Sequence, residues 1–274
     1  MDNRPIGFFD SGLGGLTCIP HLMQSLPNES IIYFGDTART PYGSKAVSTI
    51  RGFAFEISDF LAERDVKMIA IACNTVSGVA IEDIRKRHPG IPVLGIISPA
   101  SHTVAKRCNS TNRIGIIGTK VTVQSGEYPR KILRYNPSLK LFQKACPAFV
   151  PLIEEGMTEG EIIELLISRY MDGFVGENKL DTLVLGCTHY PLIRKSISAL
   201  YPHLEIIDPS EEMLQSINDE LEKRSLYADS HSHENIFYAS DLSENFVNMI
   251  DKIFRDSKYR VAFKSFDLET EIRR

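Results

Sequence analysis

Two cysteines stand in matching surroundings. Cys73 closes the apolar run KMIAIAC at 67–73 and is followed by Asn74 and Thr75; Cys187 closes DTLVLGC at 181–187 and is followed by Thr188 and His189. A lone cysteine at a strand end is ordinarily a small hydrophobe. Two of them, each followed by hydrogen-bonding residues where a helix should begin, suit another role, because a helix N-terminus favours thiolate over thiol and draws the pKa from about 8.5 towards neutrality. Four chemistries compete for such a pair. A metal centre needs more ligands than Cys73, Cys187 and His189 supply from separate loops, so no metal is expected. Disulfide cycling needs the sulfurs in bonding range, which nothing in the sequence indicates. Acyl transfer, with Cys187 as nucleophile and His189 as base, leaves Cys73 idle. Inversion at a carbon uses both thiols: one thiolate takes a proton from one face, and the opposite thiol delivers one to the other.

Residues so far apart in the chain must be brought together by the fold. Short β-branched runs at 31–36, 67–73, 91–97, 113–118 and 181–187 alternate with amphipathic stretches at 45–64, 74–87 and 159–171, the pattern of an α/β protein with largely parallel sheets. The chain also reads twice. PIGFFDSG (5–12) aligns with RIGIIGTK (113–120), MIAIACNT (68–75) with TLVLGCTH (182–189), and LGIISPA (94–100) with LEIIDPS (204–210), at offsets of 108, 114 and 110 residues. We therefore expect two similar α/β domains related by an internal repeat, with the active site in the cleft between them. Ligands of open α/β sheets bind beyond the carboxyl ends of the strands, where both thiols fall. Residues before proline are pushed out of helical geometry, so Pro99 and Pro209 are the expected crossing points. The first domain is then 1–98 with 208–274 and the second 99–207. NIFYAS (235–240) should add a strand to the first, and ENFVNMIDKIF (244–254) a helix.

Other features are less specific. DSGLGGL (10–16) is glycine-rich after a strand, but Thr17 stands where a dinucleotide fingerprint needs glycine, and the Gly-Lys-Ser/Thr ending of a phosphate loop is missing. Gly12, Gly14 and Gly15 could bring backbone N–H groups to an anion near a helix start, or simply form a tight turn capped by Ser11. GDTARTPYG (35–43) places Asp36, Pro41, Tyr42 and Gly43 in a loop at another strand end. The net charge of −4 carries no long run of either sign, which argues against nucleic acid or an anionic membrane and for a small soluble ligand. No leader segment and no apolar run of about 18 residues is evident, so a cytoplasmic protein is expected. Five cysteines, odd in number and without a CxxC pair, oppose a disulfide framework. His21, His88, His102 and His203 fall outside the motifs and read as surface or packing residues.

FDSGLGGLT, GDTARTPYG, ACNT, ACPAFVPLIEEG and LGCTHYPL follow one another between residues 8 and 192 and resemble the successive signature motifs of the glutamate racemases, within the aspartate/glutamate racemase family. The resemblance implies a racemase that needs no cofactor and interconverts L- and D-glutamate for the bacterial cell wall. Cys73 and Cys187 would be its opposed acid/base residues. Asp10 would assist Cys73, while His189, with Glu154 behind it, would assist Cys187. Asp10, Ser11, Pro41, Tyr42, Gly43, Asn74, Thr75, Thr119, Thr188 and His189 match the positions that hold the amino acid; Thr119 is also the repeat partner of Ser11. The family further implies a homodimer. Two other readings compete: an aspartate racemase, whose substrate is one methylene shorter, a difference worth only about 1–3 kcal/mol, and a non-catalytic binding protein, which has no need of paired thiols. Excluding water from a carbanion-like transition state leads us to expect closure of the cleft by domain movement.

Overall fold

The apolar runs become parallel strands: β1 (Ile6–Asp10), β2 (Ile31–Gly35), β3 (Met68–Ile71), β4 (Val93–Gly95), β5 (Arg113–Gly118), β6 (Lys140–Ala145), β7 (Thr182–Gly186), β8 (Glu205–Ile207), β9 (Asn235–Ala239) and β10 (Tyr259–Phe263). The structure, a computed structural model, describes residues 1–253 and 259–266. Between the strands run helices α1 (Ile19–Ser25), α2 (Val47–Ala62), α3 (Asn74–Val79), α4 (Ile81–Arg87), α5 (Ile97–Arg107), α6 (Lys120–Ser125), α7 (Glu127–Tyr135), α8 (Phe149–Glu154), α9 (Glu161–Asn178), α10 (Arg194–Leu200), α11 (Pro209–Arg224) and α12 (Glu244–Ile253). Among the described residues no helix is long and apolar enough to cross a membrane.

The strands form two sheets, ordered β10-β9-β2-β1-β3-β4 and β6-β5-β7-β8. All the pairings are parallel. Parallel strands need crossover helices, which cover both faces of the sheet. That is why β1, β2, β3 and β7 are buried along their whole length and read as apolar runs, apart from Asp10 at the end of β1 and Thr182 at the start of β7. The order β2-β1-β3-β4 recurs as β6-β5-β7-β8. The repeat in the sequence is thus matched by a repeat in topology, and β9 and β10 extend only the first sheet.

The chain passes to the second sheet through α5 and returns through α11. These helices lie together, with Glu212 on α11 accepting from the Thr103 hydroxyl at 2.5 Å and pairing with Arg107 at 3.1 Å. Pro99 corrects the sequence reading: it lies in the first turn of α5, with Ser98 before it already helical. Backbone N–H groups have no intrahelical partner there, so proline costs no hydrogen bond. Pro209 opens α11 behind Asp208, whose side chain accepts from the N–H of Ser210.

Other boundaries also differ. The helix expected over 74–87 breaks at Ala80, beside the weak helix formers Gly78 and Val79, into α3 and α4. The run at 91–97 yields a strand of only three residues before α5 begins. The stretch at 159–171 becomes the longer α9. Strand β6 was not expected, because as a half-exposed edge strand it carries lysine and glutamine in place of an apolar run. NIFYAS forms β9, and the helix after it is α12; Phe254 of that expected helix lies outside the described residues.

One buried ion pair ties the first sheet to the end of α11. Lys67 meets Glu29 at 2.6 Å, and its ammonium also donates to the carbonyls of Asp2 and Leu226, each at 2.7 Å.

Candidate active site

Parallel registry aligns the carboxyl ends of the central strands. Phe9 of β1 pairs with Ile71 of β3, and Gly118 of β5 with Gly186 of β7. Cys73 stands between β3 and α3, and Cys187 follows β7 directly. Both line one cavity, each reaching it from a different sheet, together with Ser11, Pro41, Tyr42, Gly43, Asn74, Thr75, Thr119, Val150, Thr188 and His189. The cavity leaves about 10 Å3 of free space. That is room for about one water.

Two glycines let the walls come this close. A Cβ on Gly14 would lie 2.6 Å from both His189 Nδ1 and Thr188 Oγ1; one on Gly43 would lie 2.3 Å from Thr119 Cβ. The glycine-rich DSGLGGL segment therefore serves as a close approach between the two walls and not as a phosphate loop.

Around Cys73 the nearest hydrogen-bond partner is the Ser11 hydroxyl, which accepts from the thiol at 3.5 Å. Burial pushes the Cys73 thiol up to about 12, with the Asp10 carboxylate adding to the rise. This corrects the expected drop towards neutrality. The help from Ser11 and the Val76 N–H is smaller than the cost of placing a thiolate in a dry site beside a carboxylate. Asp10 itself is fully buried, and burial raises its pKa against the opposing pull of the His189 charge, the Thr188 hydroxyl and the Gly12 N–H. Its hydrogen bonds run to Gly12 at 2.9 Å and Thr188 at 3.0 Å. Asp10 thus reaches from β1 to the loop that carries the other thiol.

Around Cys187 the arrangement is a relay. His189 Nδ1 lies 3.7 Å from the Cys187 sulfur, and Nε2 lies 2.5 Å from Glu154 Oε1 at the end of α8. Burial disfavours the imidazolium, but hydrogen bonding and charge from Cys187 and Glu154 outweigh it and hold the His189 pKa well above the usual value. The two thiols therefore differ: one is a deeply protonated thiol near a carboxylate, the other neighbours a group that readily carries a proton.

Hydroxyls supply the remaining polar wall. Thr75 and Thr119 meet across the two halves at 3.0 Å, and Thr122 lies 3.3 Å from Thr75 and 2.9 Å from Thr119. Tyr42 donates to the buried carboxylate of Asp36, which also binds Ser240 at 2.7 Å and Arg39 at 2.7 Å, so the GDT loop anchors the Pro41–Tyr42–Gly43 segment. Among the described residues no lysine or arginine lines the cavity. Asp10 and Glu154 stand behind the lining; the other expected residues line it. Val150, Thr122 and Tyr128 escaped sequence reasoning. Val150 sits within ACPAFVPLIEEG and Thr122 one helical turn beyond Thr119, both readable signals, whereas nothing in the local sequence marks Tyr128.

Two thiols at matched strand ends thus line one cavity, with His189 beside them and two carboxylates behind. The chain belongs to the Asp/Glu/Hydantoin racemase family, whose model matches residues 17–217. Within that family its similarity runs to glutamate racemases. It is 40% identical to that of Geobacter metallireducens over 273 residues, covering 99% of this chain and all of that one. It is 44% identical to that of Chlorobaculum tepidum over 225 residues, 82% of each chain. The crystal structure of glutamate racemase from Francisella tularensis in complex with D-glutamate superposes with a TM-score of 0.89 at 37% identity, covering 98% of this chain and all of that one.

Proposed function

We propose that this protein interconverts L- and D-glutamate by a two-thiol mechanism, with Cys73 and Cys187 exchanging a proton at the α-carbon. The observation that carries the reading is the meeting of two cysteines, from matched strand ends of two sheets, in one cavity. The substrate class follows from the relatives, and with it the supply of D-glutamate to the cell wall.

In one direction a thiolate takes the α-proton, and the C–H electron pair is left on a carbanion-like centre conjugated with the α-carboxylate. The opposite thiol then delivers its proton to the other face. No atom is gained or lost, and the two sulfurs end with their protonation states exchanged. Hydroxyls, amides and backbone N–H groups meet the carboxylates without a competing cation beside the thiolates. His189, held as imidazolium with Glu154, offers a charge partner to a thiolate at Cys187. Asp10, bound to Gly12 and Thr188, acts on Cys73 through its field and by fixing the Ser11 loop. A dry, preorganised site lowers the cost of the developing charge.

Glutamate has far more bulk than the single water for which the closed cavity has room. Entry therefore requires the walls to part, with 1–98 and 208–274 moving against 99–207. Small-angle scattering should detect a change in dimensions when a substrate analogue binds, and an unchanged profile would remove this part of the proposal. The chemical core is tested by incubating the protein with either enantiomer in heavy water and following circular dichroism and α-hydrogen exchange. Cys73→Ala and Cys187→Ala should each abolish racemisation. Full activity of either variant in both directions would refute the two-thiol assignment.

A further inference from the structure

Tyr128, on α7, is fully buried and does not itself line the cavity. Its ring lies against the strand end that carries Cys187: a Cβ built on Gly186 would come within 3.3 Å of Tyr128 Cε2. Its hydroxyl crosses to the other half and donates to Asn74 Oδ1 at 2.7 Å. Asn74 follows Cys73 directly and is itself buried at 2% exposure. Its carbonyl oxygen is thus occupied, while its Nδ2 is buried without a hydrogen-bond partner in a residue that lines the cavity. One phenol therefore touches the loops of both thiols and leaves an amide donor free at the site.

We propose that Tyr128 is a positioning residue: its hydroxyl fixes the Asn74 amide with the NH2 group towards the substrate carboxylate, and the same contact registers closure of the two halves. The inference rests on the racemase reading above. The reverse orientation of Asn74 would turn a carbonyl towards an anionic substrate and leave the tyrosine proton without an acceptor, two losses in a buried site. An amide donor already unpaired in the free protein needs no rearrangement to receive a carboxylate, so binding satisfies a group that folding left unsatisfied. Burial, together with the charges of Asp208 and Cys187, holds the phenol pKa well above its usual value, so the hydroxyl keeps the proton it donates.

The test is a double-mutant cycle on the full chain with Tyr128→Phe and Asn74→Ala, reading KM and kcat from both enantiomers and the melting temperature of each variant. Tyr128→Phe retains the ring against Gly186, so it should melt close to the unsubstituted protein. Its KM should rise about five- to tenfold, the worth of one buried hydrogen bond, with a smaller change in kcat. On the Asn74→Ala background the same substitution should have almost no further effect, because its target is gone. Asn74→Asp, which can accept from Tyr128 but offers no amide donor, should lose affinity at least as strongly as Tyr128→Phe. An unchanged KM in Tyr128→Phe, a full additional loss on the Asn74→Ala background, or undiminished affinity in Asn74→Asp would each overturn the inference while leaving the racemase reading intact. Failure of the unsubstituted protein to racemise glutamate would refute that reading, and the role of Tyr128 with it.

Discussion

Gly14→Ala is a sharp probe of how far the active site depends on the approach of its two walls. Gly14 does not have a positive φ, so alanine suits its backbone, and the perturbation is confined to one methyl group. That methyl would stand 2.6 Å from His189 Nδ1 and from Thr188 Oγ1. Ordinary contact begins at 3.4 Å, so the ring and the hydroxyl must each retreat by about 0.8 Å, or the two walls must part. Either movement disturbs the 3.7 Å contact between His189 and Cys187 and the 3.0 Å bond from Thr188 to Asp10. A misplacement of about 1 Å in catalytic groups can cost about 100-fold, and that is the expected fall in kcat/KM. Stability should barely follow, since replacing glycine gains about 0.4–1 kcal/mol from the unfolded chain against a local steric cost. Gly52→Ala is the control: Gly52 lies inside α2 with nothing within 4 Å of a built Cβ, so the substitution should add about 0.5–1 kcal/mol and leave activity alone. The assay is polarimetric or circular-dichroism racemisation from each enantiomer, beside thermal melting. If Gly14→Ala stayed within about threefold of the unsubstituted kcat/KM, the argument that glycine there sets the His189 and Thr188 positions would be wrong.

Three further outcomes are expected. Glu154→Gln removes one of the groups holding the His189 imidazolium against burial, so the alkaline limb of the kcat/KM profile should move to lower pH; an unmoved limb would separate Glu154 from the relay. Asp10 is a carboxylate whose folded pKa is raised by burial, so the folded state binds its proton more tightly than the unfolded chain and ionisation costs stability at neutral pH. Asp10→Asn should accordingly melt higher than the unsubstituted protein near pH 7, with the gap narrowing as pH falls towards 4, while racemisation drops by about 100-fold or more; a gap that widened in acid would contradict the sign. Lys67→Met leaves Glu29 buried without its ion partner and should cost about 3–5 kcal/mol by denaturant unfolding, most of it recovered in Lys67→Met with Glu29→Leu; no recovery would mean that the bonds to Asp2 and Leu226 dominate.

The parts of the fold that could be read from sequence are those where one physical demand rules. Buried parallel strands must be apolar, so β1, β2, β3, β5 and β7 were legible, and their repetition pointed to matched strand ends carrying Cys73 and Cys187. Strand β6 was not, because an edge strand is relieved of that demand. Proline was misread at Pro99, where the first turn of a helix removes the usual penalty. The thiol of Cys73 was misjudged because helix-start effects are local and visible in sequence, whereas desolvation and the nearby Asp10 depend on the finished fold. The Tyr128–Asn74 and Thr188–Asp10 links belong to the same class, being contacts between segments far apart in the chain. Glu154 was reached only through resemblance to a family; its place behind His189 follows from the packing of α8.

The strand order has a consequence for how the molecule is born. On the ribosome the first sheet can pair β2, β1, β3 and β4 early, but the outer edge of β2 stays open until β9 has been made, beyond residue 235. The second sheet, by contrast, is complete once residue 207 has emerged. A nascent chain thus carries an unpaired, wholly apolar edge through most of its synthesis, a template for wrong pairing that the last strands must cover. Truncations that end before β9 should therefore be lost to aggregation, even though they contain both thiols and every residue that lines the cavity.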